Sequence, residues 1–195
     1  MPRAIVVTSL DRERADFDET VAVCHRVFTG GVLPLFLPML DDDSSIAGFL
    51  DLLDEEVWDW SGGGLEVRAA DPVHRDLIES ARSQLIEAVI TESEDEALMD
   101  TFIDGDHVDV EQLTVDLERA VARGHFHPVM GHAAGSRDVG SQLILDLVVR
   151  AFPSPAEHAA PMVTSSDGSA VAPLTADPAG PLCAEVIRTT TDPYI

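Results

Sequence analysis

Residues Ala4-Ile5-Val6-Val7 constrain this chain more than any other stretch. They are four consecutive apolar residues, three of them β-branched, with no polar residue alternating among them. A strand with one wet face alternates, whereas an unbroken run needs cover on both faces, as in a parallel sheet. The fold class is therefore α/β. The run ends in Thr8-Ser9-Leu10-Asp11, followed by Arg12-Glu13-Arg14-Ala15-Asp16-Phe17. Open α/β sheets bind ligands at the carboxyl ends of their strands. A carboxylate and small polar residues at that end form the first candidate site. The plainer reading is a polar loop in which Asp11 caps the next helix.

Helix and turn signals order the rest of the chain. Phe17, Val21, Cys24 and Phe28 share one helical face, with Asp16 or Asp18 as cap and Gly30-Gly31 as the stop. Val32 to Pro38 reads as one short extended segment, confined by Pro34 and Pro38 to an edge strand or its borders. Asp41 to Ser45 is a turn; it lacks the central Gly and closing Glu of a calcium loop. Val57-Trp58-Asp59-Trp60 suits a strand with both rings on one face. A helix spans 72–91, with Asp71 as cap, Pro72 in its first turn and a stripe of Leu77, Ile78, Ala81, Leu85, Ala88 and Val89. An acidic helix follows over 94–103. A third starts at Asp109, buries Leu113, Leu117, Ala120 and Val121, and closes at Gly124. His125 to Met130 is a strand, whose His125 and His127 read as solvent-facing because no third ligand has metal-site spacing. A loop of small residues from Gly131 leads to a helix over 139–152, which Pro153-Ser154-Pro155 ends. From Ala156 the texture turns to Pro, Ser, Gly, Ala and Thr, and Leu182 to Thr189 reads as one more strand.

Composition narrows the function. The chain has 195 residues and 45% hydrophobic residues, enough for one full domain or slightly more. It carries 36 acidic and 12 basic residues, all twelve of them arginine, for a net charge of −24. Such a surface repels phosphates and speaks against a nucleic-acid patch. It fits a basic protein partner, or serves solubility alone. Cys24 and Cys183 lie far apart, with no disulfide framework or metal spacing, which suits a reducing cytoplasm. No signal peptide and no membrane-length apolar stretch is visible.

The ordered series of segments resembles translation elongation factor G and its paralogues. Thr8-Ser9-Leu10-Asp11 stands where that family has Asn-Lys-x-Asp, and Arg12 with Ala15-Asp16-Phe17 extends the match. Leu37-Pro38, Gly48, Asp51-Leu52-Leu53 and Val57-Trp58 resemble its insertion subdomain, with Ile46 in a Phe position. Residues 131–134 stand at its Ser-Ala guanine loop, and Pro181 to Tyr194 resemble the opening of its second domain. The resemblance implies a partial P-loop-GTPase-like three-layer domain with a helical and strand insertion, followed by the first strand of a β-barrel domain. Residues 1–155 would be the C-terminal part of the GTPase domain, with the insertion at about 32–122, and 156–195 the linker and truncated start of the next domain.

The same resemblance assigns roles. Asp11 would accept two hydrogen bonds from the guanine edge. Thr8 takes the Asn position and Ser9 the Lys position, where serine has no long stem to lay on the base. Ala133 and Ala134 take the Ser-Ala positions. One of them, Ala134 for preference, would offer a backbone N–H to the guanine carbonyl. The cofactor is GTP or GDP in the full-length parent, with magnesium held outside this chain. There is no phosphate-loop motif in the sequence, so the chain alone should not turn over GTP. The implied partners are the ribosome and its large-subunit stalk proteins, the place of action the cytoplasm. The alternative is a nucleotide-independent interaction module, derived from the same fold, with a degraded guanine site.

Overall fold

The structure is a computed structural model. It describes residues 1–195 except Asp42, Ser136, Arg137, His158, Ala159, Pro161, Pro181, Glu185, Ile187 and 192–195. The elements in chain order are β1 (Ile5–Val7), α1 (Phe17–Val27), β2 (Gly31–Pro34), β3 (Phe36–Leu40), β4 (Ile46–Asp51), β5 (Glu56–Asp59), β6 (Glu66–Ala69), α2 (Pro72–Ser93), α3 (Glu96–Ile103), α4 (Val110–Arg123), β7 (Phe126–Gly131) and α5 (Ser141–Ala151). The chain divides into two compact units, Met1–Phe152 and Pro153–Ile195.

The first unit is α/β and holds two sheets. One is parallel, in the order β1-β7-β2; the other is an antiparallel meander, β3-β4-β5-β6. The expected single segment over 32–38 is in fact two strands, which part at Leu35. There the Leu35 N–H donates to Val129 O at 2.9 Å, while its carbonyl accepts the Leu52 N–H at 3.0 Å. Pro34 lies on β2 and Pro38 on β3, both edge strands, where a missing N–H is tolerated. β6 was not legible beforehand, because it is a mostly exposed edge strand with no apolar face to alternate.

Capping carboxylates start α1 to α4, whereas α5 starts at Gly140 with no side-chain cap. Asp16 accepts the Glu19 N–H, Asp71 those of Val73 and His74, and Asp109 those of Glu111 and Gln112. The stripe of α2 is rotated from the expected one: Ile78, Leu85, Ile86, Val89 and Ile90 are buried, while Leu77 is exposed. Arg82 is buried in the same face and donates from Nε to Leu52 O at 3.0 Å. The β7 strand is buried along its whole length. His127 is therefore a core residue, packed edge-on against Phe28 at 5.7 Å between ring centroids, and not the solvent-facing histidine its spacing implied. As the middle strand of a parallel sheet, β7 has no wet face to offer it.

In the second unit the described residues form one isolated bridge, Thr164 with Ala170. No strand forms among the described residues of 182–189. An extended segment needs a neighbouring backbone to take its N–H and C=O groups, and the described residues of this unit supply none there. Glu185, Ile187 and the closing Asp192 to Ile195 lie outside the described residues.

Candidate functional site

The site grows from the pairing of β1 with β7. They run parallel, with Ile5 opposite Val129, Val6 opposite Met130 and Val7 opposite Gly131. Parallel neighbours send both following loops to the same end of the sheet. The loops are cross-tied there: His132 N–H donates to Val7 O at 2.9 Å and Leu10 N–H to His132 O at 3.2 Å. Close packing fixes the junction. A Cβ on Gly131 would lie 2.5 Å from Leu10 Cδ1 and 2.8 Å from Phe49 Cε1. A side chain at 131 would have to displace those of Leu10 and Phe49, and Leu10 directly precedes Asp11 in the loop.

Asp11 is exposed and has no hydrogen-bond or ion-pair partner among the described residues. It is not a helix cap. Two turns intervene, closed by Arg12 N–H to Ser9 O at 3.0 Å and Ala15 N–H to Arg12 O at 3.1 Å, and the cap of α1 is Asp16. The other loop comes close. A Cβ on Gly135 would lie 3.6 Å from Asp11 Oδ2. Ala133 and Val139 exchange both backbone hydrogen bonds at 2.9 Å, which pinches this loop into a narrow arch. The Ala133 N–H is thereby spent inside the protein. The Ala134 N–H, on an exposed residue, has no acceptor among the described residues.

Asp11, Ala133 and Gly135 line one cleft of about 500 Å³, to which the turn between β3 and β4 contributes Asp43, Ser44 and Ser45 and the start of β4 contributes Ile46. Thr8 and Ser9 do not line it; both are exposed, and Ser9 has a left-handed backbone at φ 63°. Of the five residues singled out from the sequence, the structure thus brings Asp11 and Ala133 to the cleft wall and leaves Thr8, Ser9 and Ala134 beside it.

Two groups escaped the sequence reading, the first of them at the arch. His132 Nε2 lies 3.2 Å from Asp138 Oδ1 and 3.1 Å from Ser141 Oγ, and Ser141 Oγ donates to Asp138 at 2.8 Å. The Ser141 hydrogen bond, then that of His132, holds the Asp138 carboxyl below its usual range. A serine nucleophile relay uses a different ring nitrogen for each partner. Here both partners share Nε2, so the cluster braces the arch. The second group is the buried Asp51, whose Oδ1 accepts the Leu53 N–H at 2.7 Å. Burial pushes its carboxyl up to about 6, against the Leu53 hydrogen bond and the charge of Arg150, 3.6 Å away on α5. Spacing does not signal the second group, because Asp51 and Arg150 come from separate segments, whereas His132, Asp138 and Ser141 lie within one ten-residue stretch and meet only because the loop folds back on itself. Among the described residues no helix is long and apolar enough to cross a membrane, and no cluster of three or more His, Cys, Asp or Glu side chains is gathered as for a metal ion.

No protein-family model matches the chain. An elongation factor G-like protein from Mycobacterium tuberculosis is 41% identical over all 195 residues, in both strain CDC 1551 / Oshkosh and strain H37Rv. The match takes in 100% of this chain and 26% of those proteins, so the chain spans about a quarter of the length of these relatives. A crystal structure of a Thermus thermophilus protein is similar at a TM-score of 0.67 and 28% identity, covering 80% of this chain and 23% of that one. By sequence along its whole length, and with an α/β fold to match, the chain is an elongation factor G-like segment.

Proposed function

We propose that this chain supplies the base-recognising part of the guanine nucleotide site in an elongation factor G-like GTPase. One observation carries the reading: the loops after two adjacent parallel strands meet at a cleft where the Asp11 carboxylate is left without a partner among the described residues. A carboxylate offers two acceptor oxygens to the two donors on a guanine edge, and the Ala134 N–H is available for its carbonyl. In this proposal residues 1–155 are the C-terminal part of the GTPase domain, about 32–122 are its insertion, and 156–195 open the next domain. The nucleotide is GTP or GDP, with magnesium and the phosphate-binding groups supplied by the rest of the protein. The acidic helices of the insertion present a face to a ribosomal partner such as the stalk proteins, and the protein acts in the cytoplasm.

The test is Asp11→Asn in the protein that contains this chain. An amide donates where xanthine has a carbonyl, and it no longer accepts the guanine amino group. Preference should move from GTP toward xanthosine triphosphate by about 1–3 kcal/mol, the cost of an unpaired buried polar group. Competition binding of the two nucleotides measures it, and an unchanged preference rules the assignment out. The positions of Thr8 and Ser9 outside the cleft favour a second reading, an interaction module that has lost nucleotide. In that case neither nucleotide binds the wild-type protein, and no phosphate loop is found in its full sequence.

A further inference from the structure

We propose that Arg14 covers a face of the bound base, acting as the stacking group of the cleft; this rests on the guanine reading of the same site. Asp11 meets only the edge of a purine. The flat faces of the ring are left to the walls, and no aromatic side chain lines this cleft. Arg12 and Arg14 both line it. Neither guanidinium has an ion-pair or hydrogen-bond partner among the described residues, although the chain holds 36 acidic residues against 12 basic ones. Elsewhere Arg68, Arg82, Arg119, Arg123 and Arg150 are ion-paired, while Arg3, Arg26, Arg75 and Arg188 have no ion pair among the described residues and line no part of this cleft.

The backbone singles out Arg14 from Arg12. Arg14 has φ 67°, as the third residue of the turn closed by the Ala15 N–H on Arg12 O. A left-handed residue at that position is ordinarily Gly or Asn, and an arginine there carries a steric cost that glycine avoids. Strained residues of this kind gather at ligand sites, where the side chain rather than the backbone is what is needed. A guanidinium is flat, always charged and weakly hydrated, and it stacks on aromatic faces. Arginine is the one permanently charged cationic side chain here, since lysine is absent.

The experiment titrates the protein that contains this chain with guanosine and with GDP, comparing wild type, Asp11→Ala, Arg14→Gly and Arg14→Lys. Arg14→Gly should weaken both ligands by a similar factor of roughly three to ten, while melting no lower than wild type. Arg14→Lys should keep the charge yet lose much of the guanosine affinity, because an ammonium group has no plane to stack. Unchanged guanosine binding in Arg14→Gly, with binding abolished in Asp11→Ala, overturns the stacking role and leaves the guanine site standing. A loss confined to GDP also overturns it, since the guanidinium would then be meeting phosphate. If wild type binds neither ligand, or Asp11→Ala binds as well as wild type, the guanine reading falls and the stacking role falls with it.

Discussion

At the scale of single residues, Gly131 ties packing to the site. Its missing side chain makes room for Leu10 and Phe49, with 2.5 Å to Leu10 Cδ1 from where a Cβ would sit. Gly131→Ala must push Leu10 outward, so it should destabilise the fold by about 1–3 kcal/mol, the usual cost of overpacking a core. It should also weaken any ligand that Asp11 holds. Urea unfolding and nucleotide titration of the same variant check both effects, and a variant that loses stability alone would separate Leu10 from the site. Arg150 makes the electrostatic counterpart. The folded carboxyl of Asp51 sits at about 6, above the ordinary 3.8, so its contribution to stability grows as pH falls from about 6 toward 4 and is absent above. Arg150→Met removes the nearby charge that helps keep Asp51 ionised. The variant should lose about 3 kcal/mol at about pH 7.5, where a buried carboxylate stands uncompensated. The loss should be smaller at about pH 5, where a proton neutralises it. Unfolding at the two pH values tests this, and an equal loss at both would assign the role of Arg150 to its other partners, the exposed Asp54 and the half-buried Asp146.

At the scale of elements, the helices follow their caps. Asp71 accepts from Val73 N–H at 3.0 Å and His74 N–H at 3.1 Å, and also meets His74 Nδ1 at 2.8 Å. These bonds, the His74 backbone first, lower its carboxyl to about 2. A depressed carboxyl stabilises the fold above the unfolded value of 3.8 and loses that contribution as pH falls toward 2. Asp71→Ala should therefore lower the melting temperature at neutral pH, and the gap to wild type should close as pH falls from about 4 to about 2. A constant gap would mean that Asp71 acts through packing. Such caps are local, and so they were legible: Asp16, Asp71 and Asp109, each followed by an apolar stripe, announced α1, α2 and α4. The strands were less so. β1 showed as an apolar run and β7 as a strand between Gly124 and Gly131, but nothing near residue 35 marks where one strand leaves the parallel sheet and the next enters the antiparallel one. That break depends on Val129 and Leu52, both far along the chain.

At the scale of the whole molecule, the core belongs to one unit. Among the described residues the buried hydrophobic side chains run from Val7 to Ala151, while Met162, Leu182 and Val186 of the second unit are exposed. Residues 1–152 produced alone should thus melt cooperatively within a few degrees of the 195-residue chain. Calorimetry of the two decides it, and a large drop would give the second unit a stabilising role. What the sequence determined by itself was whatever depends on neighbours along the chain. That includes the class of the fold, the capped helices, and the opening strand with Asp11 after it, although β1 lies at the sheet edge with Ile5 and Val6 only half-buried. Tertiary structure decided what depends on distant partners. It brought Gly135 beside the Asp11 carboxylate and spent the Ala133 N–H on Val139 while leaving that of Ala134. It put His127 in the core and Thr8 and Ser9 outside the cleft. The physical reason is that periodicity and capping act over a few residues, whereas the pairing of β1 with β7 joins positions more than a hundred apart.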